Sequence, residues 1–431
     1  MTIQTGGNPH SKRKFIVLGA ALALLALALL IIRFISFPLV KVRLDKTTRP
    51  PEEYVLFTPI VDDLGYAPER TNIIYLMDLD GRVVHTWSVL GSLQLAKLKP
   101  DGNLLYATRD RSFEQRAGLR ELDAFGNVLW FYGCRIDHDF VPLPTGNVLI
   151  HCIADIKAPA VGPGEVRSPR IIEVTPEKQV VWEWHGEDHI EELTELLGVR
   201  FPLPGKGDRF LDWAHNNSCQ VIGENASGQK DARFRAGNIL ISYPNLNTVA
   251  VIDRDNGQIV WAWGPGSLDG QHSPSMQENG HILLFDNGTR RGYSRIIELD
   301  PLSSEIVWEY KGSDSTSSAF FSKYMSGVQP LPNGNSFICL SEHSTGNLFL
   351  RARRAFFKRV LKENLFMARL FEVTRGREIV WDCILTSHGR DMQNLYQASR
   401  YESHYVSPLL EKLKALPDAT QERLKSLPYV R

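Results

Sequence analysis

Beyond residue 53, short apolar runs alternate with turns, and the alternation repeats along the chain. Each unit closes on an aromatic residue followed, usually two positions later, by a second: His85-Thr86-Trp87, Trp130-Phe131-Tyr132, Trp182-Glu183-Trp184, Trp261-Ala262-Trp263, Trp308-Glu309-Tyr310 and Trp381-Asp382-Cys383. Ahead of each lies a β-branched run such as Val249-Ala250-Val251-Ile252, the pattern of a strand joined to the next by a tight turn. A second hairpin in each unit is marked by turns such as Pro100-Asp101-Gly102-Asn103 and Pro144-Thr145-Gly146-Asn147, where Gly supplies the positive φ of a sharp reversal. Trp130 follows His85 by 45 residues and Trp308 follows Trp261 by 47, while insertions lengthen other intervals. Two hairpins in a basal period near 45 fit a four-stranded propeller blade. Tyr54 to Thr58 supplies strand B of the first blade, so residues 388–401 must return as its strand A and close the ring, which removes exposed sheet edges. The predicted fold is all-β: a six-bladed β-propeller with one N-terminal transmembrane helix.

That helix rests on a different pattern. Phe15 to Ile32 is eighteen residues without a charge, preceded by Lys12-Arg13-Lys14 and followed by Arg33 and more apolar residues up to Pro38. This length crosses a bilayer as a helix, and no A-x-A cleavage pattern ends it. The expected organisation is a cytoplasmic tail (1–14), a signal anchor (15–37), a linker (38–53), the propeller (54–405) and a C-terminal tail (406–431). Lysines and arginines before the anchor keep the N-terminus cytoplasmic and send the propeller to the periplasm, lumen or exterior, although Lys41 and Arg43 oppose this orientation. Forty-nine basic against 49 acidic residues give zero net charge, which offers nucleic acid no electrostatic reason to bind. Five Cys with no CxxC spacing exclude a disulfide scaffold or a zinc finger.

With strands A to D counted outward from the axis, the long insertions (153–169, 185–213, 311–324, 341–368) all fall on the face holding the B/C and D/A connections. Function is expected at that mouth. Counting eight residues back from the A/B turn glycines reaches the start of strand A at the channel: Gln94, His138, His272 and Ser326, with His215 aligned by its surroundings. His388 is a candidate for the sixth position. Three consecutive blades thus present histidine to one axis. Such a trio supports either a three-imidazole metal site with an open position or a metal-free cluster of nucleophile, acid and base. Asp137, Asp139 and Asp212 flank these rings, as orienting partners or as strand-end caps.

Asp212-Trp213-Ala214-His215-Asn216-Asn217, Gly237-Asn238-Ile239-Leu240-Ile241-Ser242, Gln271-His272-Ser273-Pro274, Phe285-Asp286-Asn287-Gly288 and Tyr293-Ser294-Arg295 resemble the bacterial aryl sulfotransferases, over nearly all of residues 54–401. The resemblance implies a periplasmic six-bladed propeller and ping-pong transfer of a sulfuryl group from an aryl sulfate to a phenol, without a nucleotide donor, cofactor or metal. By motif, His272 would become a sulfohistidine, while His138 and His215 would contact the sulfuryl oxygens and exchange the phenolic proton. The sequence departs from the family at one position, where Tyr243 stands in place of a sulfuryl-binding Arg. Arg290, Arg291 and Arg295 are candidate replacements, and Tyr243, Asn287, Arg290 and Arg295 are the expected substrate-binding set.

Two other classes compete: a quinoprotein, disfavoured because no two Cys are adjacent, and a non-catalytic binding propeller. The aromatic repeats read as packing between blades. The basic, aromatic segment 348–366 reads as an amphipathic helix on the mouth face, either a second membrane contact beside residues 15–37, a lid, or a helix on the blade rim. The propeller itself is expected to be monomeric.

Overall fold

The computed structural model describes residues 40–45, 53–60, 71–109, 117–201, 203, 211–312, 320–341, 364–389 and 394–415. The anchor 15–37, the tail 1–14 and most of the segment 348–366 lie outside these residues. No helix among the described residues is long and apolar enough to cross a membrane.

Six antiparallel sheets of four core strands form six blades. Blade 1 is the closure: strand A, Asn394–Glu402, pairs with strand B, Glu53–Ile60, so the two ends of the propeller share one sheet as expected. Blades 2 to 6 follow in chain order, with A strands Ser92–Leu98, Ile136–Pro142, Ser218–Val221, His272–Met276 and Gly327–Pro330. The aromatic hairpins are the C and D strands, as the sequence period requires. Their tryptophans tie each blade to the next. The indole N–H of Trp87 donates to the Asp123 carbonyl, Trp130 to Pro176, Trp182 to Arg254, Trp308 to Arg375 and Trp381 to Leu79, at 2.8 to 3.2 Å. Between blades 4 and 5 the expanded A/B turn takes over. Ser227 Oγ donates to the Gly280 carbonyl at 2.8 Å, and Trp261 packs edge-on against Phe234 at 5.4 Å.

Two segments expected outside the propeller pack against it. Val40–Asp45, within the expected linker, adds a fifth strand to blade 6, pairing from Val40 with Leu385 to Asp45 with Trp381. Its Val40 and Val42 pack against the blade 6 core, and its pairing covers an outer sheet edge. Helix α1, Ile190–Leu197, ends at Gly198 in the left-handed region. Helix α2, Ser403–Lys414, occupies the start of the expected tail. Its Val406 and Leu409 are buried against blades 1 and 2, with Leu410 and Leu413 beside them, the spacing of an amphipathic helix. Gly102 in the A/B turn of blade 2 has φ +79, and a Cβ there would lie 2.6 Å from the Leu409 backbone nitrogen. Both the turn and the helix dock therefore require glycine.

The closure carries one buried ionic cluster. Arg400 of strand A in blade 1 pairs with Glu53 on the neighbouring strand and with Glu372 of blade 6, and its side chain is 3% exposed. The Gln329 side chain also bonds the Arg400 backbone, Nε2 donating to the Arg400 carbonyl at 2.9 Å and Oε1 accepting from the Arg400 N–H at 2.8 Å. Removing the cation leaves carboxylates buried without their charge partner, a change that costs about 3–5 kcal/mol. Arg400→Ala is therefore expected to lower the unfolding free energy by that much, seen as a lower urea midpoint, whereas an unchanged midpoint would show that the closure does not depend on this cluster.

Candidate active site

A cavity of about 710 Å³ opens on the face of the B/C and D/A connections. His138, His215 and His272 all line it, as do Gln94, Arg109, Asp269, Arg290, Lys323, Tyr324 and Tyr396. His138 and His272 are brought there by a repeated distortion at the start of strand A, and His215 by the segment just ahead of strand A in blade 4. Ladder register shifts fall next to Gln94 in blade 2, beside His138 in blade 3, after His272 in blade 5, and opposite Tyr396 in blade 1. A bulge of this kind re-aims side chains beside active sites. The same positions hold unusual backbone. His138, His215, Ser273, Met325 and Ser326 have positive φ, five of the nine non-glycine residues that do so among the described residues. Such conformations cost of order 1–3 kcal/mol each and persist only where the surroundings over-determine them.

The surroundings of His272 fix its tautomer. Asn287, fully buried, donates both amide hydrogens, to the Ser322 and Met325 carbonyls at 2.9 Å each. Its Oδ1 must therefore accept, and it lies 2.8 Å from His272 Nδ1, with the Gly270 carbonyl at 3.2 Å. Nδ1 carries the proton, and Nε2 keeps its lone pair on the cavity side. Burial pushes the His272 ring down to about 4, so it is neutral at ordinary pH.

The other two rings differ. His215 donates from Nδ1 to Asp212 at 2.7 Å. Asp212 is positioned by the two-residue strand Leu211–Asp212, which adds in parallel to blade 3. Burial opposes its charge, but hydrogen bonding and attraction from His215 outweigh this and hold its carboxyl below the ordinary value. His138 lies 4.7 Å from the His215 ring and 5.6 Å from Tyr396, and its Nδ1 is 3.0 Å from Asp137. Burial first, and then the Arg109 guanidinium, push it well below the usual histidine value. Asp139 plays no part in ring orientation. It accepts from Lys97 at 2.7 Å and from the Cys219 N–H at 3.1 Å, joining blades 2, 3 and 4.

The expected substrate-binding set is only partly assembled. Arg290 reaches the cavity, 73% exposed at its rim and bonded to Asp269 at 3.1 Å. Asn287 lies behind His272. Arg295 is outside the lining, held by Asp286 at 2.8 Å, Glu309 at 3.0 Å and the Ser267 carbonyl at 2.8 Å. Tyr243 is also outside, a correction with a simple cause. Strand residues alternate, so Tyr243 shares the face of Ile239 and Ile241 and is buried with Trp213 in the wedge between blades. His388 belongs to strand D of blade 6, Ile379–Gly389, and the sixth channel position falls to Tyr396. Counting from a turn glycine could not reach Tyr396, because strands A and B of blade 1 come from opposite ends of the chain. Pairing the last strand against Tyr54 to Thr58 would have found it. No group of three His, Cys, Asp or Glu among the described residues is disposed to hold a metal ion.

The region around these residues has recognisable relatives. Residues 61–268 match the arylsulfotransferase (ASST) family. The match bears out the resemblance drawn from the motifs and supports an arylsulfotransferase, a transferase of the sulfotransferase kind. It includes His138 and His215 and ends just before His272. No curated protein matches the chain. Among solved structures, a protein of unknown function from Bacteroides caccae is 15% identical, covering 81% of this chain and 99% of its own, with a TM-score of 0.47. Apo AztD from Citrobacter koseri is 9% identical, over 82% and 98%, with a TM-score of 0.38. Hydrazine synthase of Kuenenia stuttgartiensis is 11% identical, over 56% and 65%, with a TM-score of 0.35. These likenesses are too distant to say anything of activity.

The buried rings predict acid sensitivity. His85 and His272 are depressed to about 4 and His151 to about 3, each chiefly by burial. In the unfolded chain they titrate near 6.5, so between that value and about 4 the unfolded state binds more protons and stability falls as pH falls. Urea midpoints are expected to hold from pH 8 to 7 and to drop between pH 6.5 and 5, above the range where unfolded carboxylates titrate. A flat profile there would mean that these rings take up protons inside the fold.

Proposed function

We propose that this chain moves a sulfuryl group from an aryl sulfate ester to a phenol through a sulfohistidine at His272, with no nucleotide donor. The observation that carries this reading is the Asn287-locked tautomer of His272, a neutral imidazole offering Nε2 to a cavity shared with two more histidines. In the first half-reaction Nε2 attacks sulfur and the S–O bond to the aryl group breaks. The leaving phenolate takes a proton from His215, which Asp212 orients through Nδ1. In the second half the acceptor phenol gives its proton to His215, its oxygen attacks sulfur, and the S–N bond breaks. His138 suits the role of oxygen contact rather than acid, since burial and its arginine neighbour keep it neutral. A cavity of about 710 Å³ is in the range that encloses drug-sized ligands, which fits aromatic donors and acceptors taken in turn.

We also place the propeller on the non-cytoplasmic side of a membrane, tethered by residues 15–37. Two residues separate that segment from the strand Val40–Asp45 and span about 7 Å, so blade 6 would sit beside the bilayer. Protease added to spheroplasts should digest the propeller; full protection would sink this topology.

Incubation with 4-nitrophenyl sulfate and a phenol is expected to release nitrophenol, and donor alone to leave one sulfuryl group on the protein by intact mass. His272→Ala should lower turnover by roughly 10⁴-fold or more and abolish the adduct. A folded protein that neither releases nitrophenol nor gains mass across a donor panel would favour the binding-propeller reading. Asn287→Asp places a carboxylate on Nδ1, which raises the affinity of the ring for a second proton. The acid limb of the pH–rate profile should then move toward neutrality, and an unmoved limb would dissociate Asn287 from the nucleophile.

A further inference from the structure

We infer that Arg109, from strand B of blade 2, is the cation that binds the transferred anionic group, in place of the family cation missing at position 243. This rests on the sulfuryl-transfer reading above. Transfer from a sulfate monoester needs positive charge fixed against the equatorial oxygens, and position 243 supplies none, because Tyr243 is buried outside the cavity. The replacements legible in the sequence do not serve. Arg291 and Arg295 both bind Asp286 and neither lines the cavity. Arg290 lines it, but is mostly exposed at the rim, where water screens its charge.

Arg109 meets each requirement. It lines the same cavity as the three histidines, and its side chain is only 21% exposed. Strand pairing places it opposite Ser92, at the mouth end of blade 2, so it comes from a rigid element. Three groups orient it. The Asp137 carboxylate pairs with Nη2, and the Gln94 amide, turned with its oxygen inward, accepts from Nε at 2.7 Å. Nη2 also lies 3.3 Å from both ring nitrogens of His138. Equal distances to both nitrogens place Nη2 on the bisector of the His138 ring and not along one N–H direction, so the guanidinium is packed against His138. A planar guanidinium held this way at Nε and Nη2 is a pre-oriented cation beside a ring that burial first, and then this charge, keep neutral. Gln94 and His138 occupy the equivalent bulge in adjacent blades, so one distortion of the fold builds both supports for the cation.

The test uses the full chain with Arg109→Gln and Arg109→Lys, each checked for its folded near-UV spectrum. With 4-nitrophenyl sulfate, Arg109→Gln is expected to lose about 10²–10³ in kcat/KM, and Arg109→Lys to recover part of it as a point charge without the fork. Inorganic sulfate should protect His272 from diethyl pyrocarbonate in the parent protein and not in Arg109→Gln. Unchanged kcat/KM in a folded Arg109→Gln overturns the assignment while leaving sulfuryl transfer intact. Should the parent transfer no sulfuryl group, the transfer reading fails and sulfate protection alone decides: protection lost in Arg109→Gln upholds an anion site at Arg109, and equal or absent protection in both overturns it.

Discussion

The contact on which this propeller depends is an indole N–H from the outer hairpin of one blade reaching a carbonyl in the outer turn of the next. Trp87, Trp130, Trp182, Trp308 and Trp381 make it, and the ring they fasten includes the closure, where Trp381 of blade 6 holds Leu79 of blade 1. Trp87, Trp308 and Trp381 are buried, and a buried residue of this kind hides roughly 150–250 Å², an upper bound of about 4–6 kcal/mol of hydrophobic stabilisation before entropy. Direction matters as much as magnitude. A blade that must place its turn carbonyl under its neighbour's indole has its distance and rotation about the axis fixed at the rim, leaving the inner strands free to depart from ideal ladders.

The inner strands use that freedom at one end only. Toward the A/B turns they are clamped side by side, with Lys97 donating to the Phe140 carbonyl at 2.7 Å and Gln220 accepting from the Met276 N–H at 2.7 Å. Toward the mouth they bulge, and the backbone at His138, His215 and Ser273 enters the left-handed region. Strain of this kind lies at the cavity wall and not in the blade interiors. A rigid outer ring can tolerate several such residues, where a small sheet could not.

Much of this was legible in the sequence because it is periodic. The aromatic hairpins, the A/B turn glycines and the shared first blade all follow from spacing, and the register that located Gln94, His138 and His272 is a count from those glycines. What was missed breaks the period. Tyr396 has no turn to count from, since its partner strand is the first of the propeller and not the next. Arg109 sits at the end of a B strand, for which no marker residue exists. The strand Val40–Asp45 and helix α2 are single additions outside the repeat, visible only as short apolar alternations. Tyr243 was legible and misread: its alternation with Ile239 and Ile241 already assigns it to the packed face, whatever a related sequence carries there.

The three channel histidines look equivalent by register, yet their partners make them different chemical objects. An amide behind His272 can accept a hydrogen bond but carries no charge, so it fixes the tautomer without stabilising a second proton, which is what a nucleophile requires. A carboxylate behind His215 fixes the ring and can compensate a positive charge on it, which is what proton exchange requires. Burial, and then the guanidinium against it, disfavour a positive His138 ring and leave a neutral hydrogen-bonding edge beside a fixed cation. Each partner comes from a different element: a B/C connection of blade 5, a two-residue strand added to blade 3, and strand B of blade 2. The sixfold scaffold supplies three like positions around one axis, and the different partner behind each ring breaks that likeness into nucleophile, proton carrier and oxygen contact.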